Sequence, residues 1–322
     1  MAIASGVDVS TASRILNNDP NQSARPETRE RVLEVARRLN YRRNAAALAL
    51  RTTKTNALAI LVPNLSNVAY AEVTEGARLR AADEGYVLFV VSGTPSELLS
   101  SLTGRIDGVM LAASRTDVRF GPEVGALMPT VLLNRHVASP INSIIIDDGA
   151  GIEALVEHLV ELGHADIGHI AGPANTDTGA RRLTAFKSAL RARGLPVRAS
   201  WIAVGEYSEE GGYDATLRVI SARKRPTALI ASTVATAIGV LAALRDNGID
   251  VPGDISVASY DDVPLASFVS PPLTAVRMPL REMGARAVEV LLNLIDGLPV
   301  ENEVLQAPPV LNQRASTAPP RA

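Results

Sequence analysis

Residues 5–17 read SGVDVSTASRILN, and this stretch is typical of a short amphipathic helix that follows a turn. Gly6 suits the turn, and Asp8 is a favourable N-cap for the helix behind it. One face of that helix is apolar and comprises Ala12, Ile15 and Leu16. The opposite face is polar and comprises Ser10, Ser13, Arg14 and Asn17. Since the apolar positions follow an i, i+3, i+4 pattern, we expect one face to pack inward and the other to present hydrogen-bonding groups.

A second helix is predicted after the turn-rich residues 18–23. Pro26 suits the first turn of this helix, and Asn40 is expected to end it. Its predicted buried stripe comprises Val32, Val35, Ala36 and Leu39. Helices joined in this way form a helix-turn-helix, which places a recognition helix in the major groove of DNA. A small helical bundle that contacts other proteins is the alternative interpretation.

The charge distribution along the chain is uneven. The 322 residues carry a net charge of −2. Residues 1–55 hold ten basic and five acidic side chains, a net charge of +5, so the remainder carries −7. A basic head on an acidic body favours contact with a polyanion such as DNA, although a basic helix face also serves solubility alone.

Composition limits the classes of protein that this chain can represent. Its length predicts about two globular units. It contains no cysteine, which excludes disulfides, thiolate zinc sites and cysteine nucleophiles. No stretch has the roughly 18 uncharged apolar residues of a membrane span, and the N-terminus lacks a secretory pattern. We therefore expect a cytoplasmic protein without a membrane partner.

Residues 44–51 read NAAALALR and contain strong helix formers behind Asn44, a potential N-cap. Isolated helices shorter than about 12 residues are marginal in water. This segment is therefore predicted to become helical only when something binds it. An alanine-rich linker without contacts is the alternative.

From residue 57 onward, apolar runs typical of buried strands alternate with helical stretches. Strands are predicted at 57–62, 86–91, 108–111, 130–133, 143–146, 167–170, 200–204, 228–231 and 256–259. Helices are predicted at 69–84, 151–162, 181–193, 209–222 and 234–247. This alternation predicts an α/β fold with two βαβ lobes and parallel sheets. Ligands of such sheets bind beyond the carboxyl ends of the strands, so the cleft between the lobes is the expected small-molecule site.

Motifs in both parts of the chain resemble those of the lactose/galactose repressor family of bacterial regulators. The motifs in the head are Gly6-Val7-x-x-Ser10-Thr11-x-Ser13-Arg14-x-Leu16-Asn17 and Leu39-Asn40-Tyr41-x-x-Asn44-Ala45. Those in the body include Leu162-Gly163-His164-x-x-Ile167-x-His169-Ile170-Ala171-Gly172-Pro173 and Tyr260-Asp261-Asp262. The resemblance covers nearly the whole chain and implies a helix-turn-helix head on a body that resembles periplasmic sugar-binding proteins.

The resemblance implies a DNA-binding role for nine residues. Base edges would be read by Val9, Ser10 and Arg14, and phosphates would be bound by Thr11, Ser13 and Asn17. Asn44, Ala47 and Leu50 would belong to a hinge helix, with Leu50 inserted into the minor groove. The family has a longer first helix than residues 1–5 provide, so we expect an upstream translation start, or weak operator binding by a chain that begins at Met1.

For the body, the resemblance implies that Arg182 and Asp261 bind the effector through charge-assisted hydrogen bonds. A structural ion pair is the alternative for these two residues. Tyr70 and Tyr207 fall where the family places aromatic rings against the ligand. Thr233 replaces an asparagine that is common at this position, which favours an effector that is less polar or differently placed.

Together these features predict three segments: a helix-turn-helix head at 1–42, a hinge at 43–55 and an effector-binding and dimerisation body at 56–322. The predicted function is a ligand-responsive repressor that binds double-stranded operator DNA as a homodimer. A cytoplasmic sugar-binding protein with impaired DNA binding is the alternative. We expect no enzyme activity, cofactor or metal, because His164 and His169 straddle a helix-to-strand turn and no catalytic motif accompanies them.

Overall fold

The computed structural model describes residues 1–16, 23–39, 41, 54–63, 65, 67–93, 101–112, 127–135 and 141–321. The chain divides into two compact units, Met1–Thr55 and Asn56–Ala322. None of the helices among the described residues combines the length and apolarity needed to span a bilayer.

The described residues of the first unit form three helices, α1 (Ala2–Ser5), α2 (Val9–Leu16) and α3 (Pro26–Arg38). Gly6 ends α1 in the left-handed conformation, with a φ of 63°. The Asp8 carboxylate caps α2 by accepting from the backbone N–H of Thr11 at 2.8 Å. Helix α3 is tied to α1 by Arg31, whose Nε donates to the carbonyl oxygen of Ser5 at 2.9 Å.

The core of this unit is small, and it comprises Ser5, Ala12, Ile15, Val32 and Val35. The predicted cap and helix start at Asp8 and the predicted start at Pro26 are confirmed. The prediction that Leu39 is buried is wrong. Leu39 lies at the C-cap of α3, one residue beyond the last helical turn, where its side chain turns to solvent.

The second unit, Asn56–Ala322, is built from two lobes. The first lobe, called the N lobe here, has a sheet of six parallel strands in the order β11-β5-β4-β3-β1-β2. Its strands are β1 (Ala57–Val62), β2 (Val87–Ser92), β3 (Gly108–Leu111), β4 (Thr130–Leu133), β5 (Asn142–Ile146) and β11 (Glu303–Leu305). Helices α4 (Val68–Asp83) and α9 (Leu280–Ile295) pack against each other and onto this sheet.

The second lobe, called the C lobe here, has a sheet in the order β12-β10-β9-β8-β6-β7, in which only β12 runs antiparallel to its neighbour. Its strands are β6 (Ile167–Ala171), β7 (Ile202–Val204), β8 (Ala228–Ala231), β9 (Ser256–Tyr260), β10 (Thr274–Arg277) and β12 (Val310–Asn312). Its helices are α5 (Asp148–Glu161), α6 (Asp177–Ala192), α7 (Glu209–Ile220) and α8 (Val234–Asp246). The predicted α/β class with two parallel-dominated sheets is confirmed.

The chain crosses between the lobes three times: from β5 to α5, from β10 to α9, and from β11 to β12. Helix α9 and strand β11 therefore complete the N lobe although they lie near the C-terminal end of the sequence. The predicted strand at 200–204 begins two residues later, because Ala199–Trp201 forms a 3-10 turn that buries Trp201.

The histidines of the C lobe have structural partners. His164 Nδ1 lies 2.8 Å from Thr227 Oγ1, and its Nε2 lies 2.9 Å from the carbonyl oxygen of Ala318. His169 is fully buried and bonds to the carbonyl oxygen of Ile230, and burial lowers the pKa of its imidazole to about 4. Within the described ranges, no three His, Cys, Asp or Glu side chains are grouped so that they could hold a metal ion.

The contact between α4 and α9 depends on two glycines. A Cβ atom at Gly284 would overlap the carbonyl oxygen of Val73, and a Cβ at Gly76 would overlap that of Arg281. We expect Gly284→Ala to lower the free energy of unfolding by about 1 to 3 kcal/mol, because both helix backbones would have to move apart. Urea unfolding of this variant and of Glu282→Ala, on the exposed side of α9, is the measurement. Equal stability of the two variants would contradict the prediction.

Candidate functional sites

Helix α2 presents the side chains predicted to contact DNA. Val9, Ser10 and Arg14 are exposed, and Val9 shows 77% of its surface to solvent. Thr11 and Ser13 are half-buried. An apolar side chain this exposed on a short helix has no packing role, which agrees with a contact to a base.

Two of the predicted DNA contacts are occupied by a neighbouring carboxylate in the free protein. Ser10 Oγ donates to Asp8 Oδ1 at 2.5 Å, and Thr11 Oγ1 donates to Asp8 Oδ2 at 2.7 Å. Hydrogen bonds from the Ser10 and Thr11 hydroxyls, followed by that from the Thr11 backbone, hold the pKa of the Asp8 carboxyl well below its usual range. Asp8 therefore fixes the orientation of both hydroxyls at the start of α2.

The other four predicted DNA contacts, Asn17, Asn44, Ala47 and Leu50, lie outside the described residues.

In the C lobe, Arg182 and Asp261 meet around a third residue, Asp148. Arg182 Nε donates to Asp148 Oδ1 at 2.8 Å, and its Nη1 donates to the carbonyl oxygen of Ser232 at 2.7 Å. The same Nη1 lies 3.7 Å from Asp261 Oδ2. The guanidinium carbon stands 3.7 Å from the centre of the Tyr260 ring. This cluster brings together two of the predicted effector residues and is almost completely shielded from solvent.

Asp261 follows the last residue of β9 and adopts a left-handed backbone, with a φ of 65°. Its Oδ2 faces Arg182, whereas its buried Oδ1 has no hydrogen-bond partner among the described residues. Burial raises the pKa of the Asp261 carboxyl to about 6, against the opposing effect of Arg182. Asp262, the next residue, turns away and pairs with Arg314 at 2.8 Å. The two carboxylates of this pair therefore have different roles.

Arg181 joins the two lobes. On the C lobe it pairs with Asp148 at 2.6 Å and with Asp177 at 2.9 Å. On the N lobe it donates to the Asn134 side chain at 3.0 Å and to the carbonyl oxygen of Ile146 at 3.2 Å. A change in the angle between the lobes would have to break some of these bonds.

Three residues of this region were not predicted from the sequence: Asp148, Arg181 and Arg135. Arg135 follows β4 and is only 7% exposed, and its Nε and Nη1 have no hydrogen-bond partner among the described residues. A signal was present for two of them, because Asp148 and Arg135 each follow a predicted strand by two residues. Polar side chains just beyond the carboxyl ends of parallel strands point to a ligand site.

The tyrosines predicted to line the site lie in the same region. Tyr207 Oη is 3.1 Å from Thr178 Oγ1, and its ring covers Gly172, where a Cβ would overlap it. Burial raises the pKa of the Tyr70 hydroxyl, and the charges of Arg135, Arg182 and Asp261 all act on that hydroxyl. The groups that predict a ligand site therefore converge from both lobes.

Thr233 lies at the N-terminus of α8 and serves as its N-cap. Its Oγ1 accepts from the Thr236 backbone N–H at 3.2 Å and lies 2.9 Å from Thr236 Oγ1. Its hydroxyl is therefore already engaged within the helix.

Two family models match the chain. Residues 1–44 match the model described as bacterial regulatory proteins, lacI family, and residues 156–317 match the periplasmic binding protein-like domain. Catabolite control protein A of Priestia megaterium is 30% identical over 326 residues, which cover 98% of each chain. The chain belongs to the lacI family of bacterial transcription regulators.

Other members of the lacI family support this assignment. The ribose operon repressor of Escherichia coli K12 is 29% identical, again over 98% of each chain. A solved lac repressor dimer bound to operator and the anti-inducer ONPF superposes with a TM-score of 0.85 and 29% identity, covering 98% of this chain and 97% of that one. The predicted family, fold and regulatory function are thereby confirmed.

The raised pKa of Asp261 predicts a dependence of stability on pH. The carboxyl has a pKa of 3.8 when unfolded and about 6 when folded. Between these values the folded chain binds a proton that the unfolded chain lacks, so stability falls as the pH rises from 4 through 6. The native chain should lose about 1 to 3 kcal/mol of its free energy of unfolding over this range. Asp261→Asn has no carboxyl at this position and should not show this loss.

Urea unfolding at pH 4.5 and at pH 7.5 measures this loss in the native chain and in the variant. Asp246→Asn, at an exposed carboxylate of α8, is the matched control and should follow the native chain. The same pH dependence in the native chain and in Asp261→Asn would show that this carboxyl is not the source.

Proposed function

We propose that this lacI-family regulator is a repressor that binds a pseudo-palindromic operator as a homodimer, and that a small effector held between its two lobes controls that binding. The observation that carries the proposal is the buried cluster of Arg182, Asp148 and Asp261 at the carboxyl ends of the strands, with Asp261 Oδ1 left without a partner among the described residues. Buried polar groups are normally satisfied, so an oxygen of this kind is suited to a ligand hydroxyl.

The head supplies the DNA contacts in this proposal. We assign residues 1–42 to a helix-turn-helix and residues 43–55 to a hinge. Val9, Ser10 and Arg14 would read bases, while Thr11, Ser13 and Asn17 would bind phosphates. Asn44, Ala47 and Leu50 would act when the hinge folds on DNA. Residues 1–55 carry a net charge of +5, which favours association with DNA at a rate that falls with rising salt.

Effector contacts come from both lobes. Arg182 and Asp261 would bind hydroxyl groups of the ligand, and the rings of Tyr70 and Tyr207 would pack on it. Thr233 would contribute shape rather than a hydrogen bond, because its hydroxyl is engaged with Thr236. Ligand binding would change the angle between the lobes through Arg181, which contacts both of them, and thereby alter how two hinges pair on DNA. No catalytic step or cofactor enters this cycle, which would take place in the cytoplasm.

A second copy of this chain is the partner that fits two uncovered apolar surfaces. Strand β2 lies at the edge of the N-lobe sheet and exposes Val87, Phe89 and Val90. On the C lobe, Phe268 is 84% exposed beside a groove lined by apolar side chains of α8 and by Val269. Exposed sheet edges and large apolar patches are normally covered in soluble proteins. Pairing of identical surfaces produces the two-fold symmetry that a palindromic operator requires.

Arg14→Ala tests the DNA-binding part of the proposal. A side chain that reads a base contributes about 1 to 3 kcal/mol of discrimination, so the variant should lose preference for the operator while binding to random DNA changes little. The operator is first obtained by selection from a random duplex library with the native chain. Arg191→Ala, at an exposed arginine in the last turn of α6, is the control. Failure of the native chain to select any sequence would refute the function.

Phe268→Asp tests the homodimer. A carboxylate placed in an apolar interface should weaken the dimer at least about tenfold, because it would be buried without a partner. Sedimentation equilibrium measures the dissociation constant of the native chain and the variant. Leu298→Asp makes the same change at a leucine outside both surfaces and should leave the constant unchanged. If Phe268→Asp and Leu298→Asp have the same dissociation constant, the dimer interface does not include Phe268.

A further inference from the structure

Three arginines lie where the lobes meet, and their donor groups are used very differently. Arg182 donates to Asp148 and to the carbonyl oxygen of Ser232. Arg181 uses all three of its nitrogens on carboxylates, on Asn134 and on the carbonyl oxygen of Ile146. Arg135, by contrast, keeps Nε and Nη1 buried without a hydrogen-bond partner among the described residues. It is therefore the guanidinium of the three that is free to bind a ligand.

The burial of Arg135 makes its unpartnered guanidinium energetically unfavourable in the absence of a ligand. The side chain is 7% exposed, and burial lowers the pKa of its guanidinium. An arginine remains protonated in proteins, so the charge stays and must be balanced. Burying a charge without a partner costs several kcal/mol, whereas pairing it with an anion offsets much of that cost.

The neighbouring groups do not supply that anion. Among the described residues, Arg135 Nε and Nη1 have no hydrogen-bond partner, and the ionisable groups with the largest effect on its pKa are Tyr70, Asp177, Tyr207 and Arg181. Asp177 is the carboxylate in this set, and Arg181 Nε already bonds to its Oδ2 at 2.9 Å. Tyr70 and Tyr207 offer hydroxyl groups rather than carboxylates. The carboxylates of this region are thus paired with Arg181 and Arg182, and none of them among the described residues pairs with Arg135.

Among the described residues, Arg135 Nε and Nη1 lack a hydrogen-bond acceptor, whereas Asp261 Oδ1 lacks a hydrogen-bond donor. Arg135 follows β4 of the N lobe and Asp261 follows β9 of the C lobe, so both stand just beyond the carboxyl ends of parallel strands, and the charges of both act on the Tyr70 hydroxyl. A ligand that satisfies both must offer an anionic oxygen on one side and a hydroxyl hydrogen on the other.

We propose that the effector is a small polyhydroxylated acid, with its carboxylate or phosphate bound by Arg135 and a hydroxyl donated to Asp261. This inference rests on the proposed function of the cleft as the effector site and adds the charge of the ligand. A planar guanidinium can donate two parallel hydrogen bonds to either a carboxylate or a phosphate.

The test uses the full chain and inorganic phosphate as the probe, at constant ionic strength with chloride as the reference anion. Phosphate should raise the melting temperature of the native chain by more than it raises that of Arg135→Met, because only the native chain has the proposed site. Without phosphate, Arg135→Met should melt about 2 to 4 °C above the native chain, because an uncompensated charge is removed. Arg191→Met, at an exposed arginine in the last turn of α6, should behave like the native chain.

Two results would overturn the proposal: no phosphate-dependent shift in the native chain, or the same shift in Arg135→Met. If Arg135→Met does not fold, Arg135→Lys takes its place. Lysine keeps the charge but loses the fork, so its phosphate response should fall by about half or more.

Calorimetry with glucose, glucuronate and glucose 6-phosphate then identifies the acid. Under the proposal, an acidic sugar should bind at least about tenfold more tightly than glucose, and the two acids distinguish a carboxylate from a phosphate. If glucose binds, and if its binding depends on Arg182 but is unchanged in Arg135→Met, the proposal of an acidic effector is wrong. That result would leave the effector cleft, and hence the proposed function, in place.

Discussion

The body of this protein is organised around one buried cation, the Arg182 guanidinium. It lies between the carboxylates of Asp148 and Asp261 and against the face of Tyr260. These partners come from the start of α5, the end of β9 and the residue that follows it, so a single side chain links separate elements of the C lobe. Loss of one partner of a buried ion pair typically costs about 3 to 5 kcal/mol. Under the proposed function, Asp261 Oδ1, which lacks a partner among the described residues, is the atom of this cluster that would accept a hydrogen bond from the ligand.

Local patterns in the sequence were sufficient for most of the architecture. Apolar runs such as 57–62 and 228–231 are buried strands, and helices begin after the cap at Asp8 and at Pro26 as expected. The order of strands within each sheet was not accessible in the same way, because it depends on pairing between distant segments. Strand β11 beside β5 is the clearest example, since more than 150 residues separate them.

The candidate site was only partly accessible from the sequence. The family resemblance pointed to Arg182 and Asp261, and the structure brings both to one cluster. Asp148 and Arg135 were missed although each follows a predicted strand, because one sequence does not reveal which carboxyl-end residues turn inward. Arg181 and Arg182 are adjacent in the sequence, yet Arg182 is buried in the C lobe and Arg181 joins the two lobes. Only the packing of α6 distinguishes their roles.

The late position of α9 and β11 has a consequence for biosynthesis. The first-made strands, β1 to β5, lack the covering helix α9 and the flanking strand β11 until the ribosome has translated residues 280–305. The C lobe, by contrast, has five of its six strands once residue 277 has been made. We therefore expect the later half of the nascent chain to become protease-resistant before the earlier half, so that the order of folding runs against the direction of synthesis.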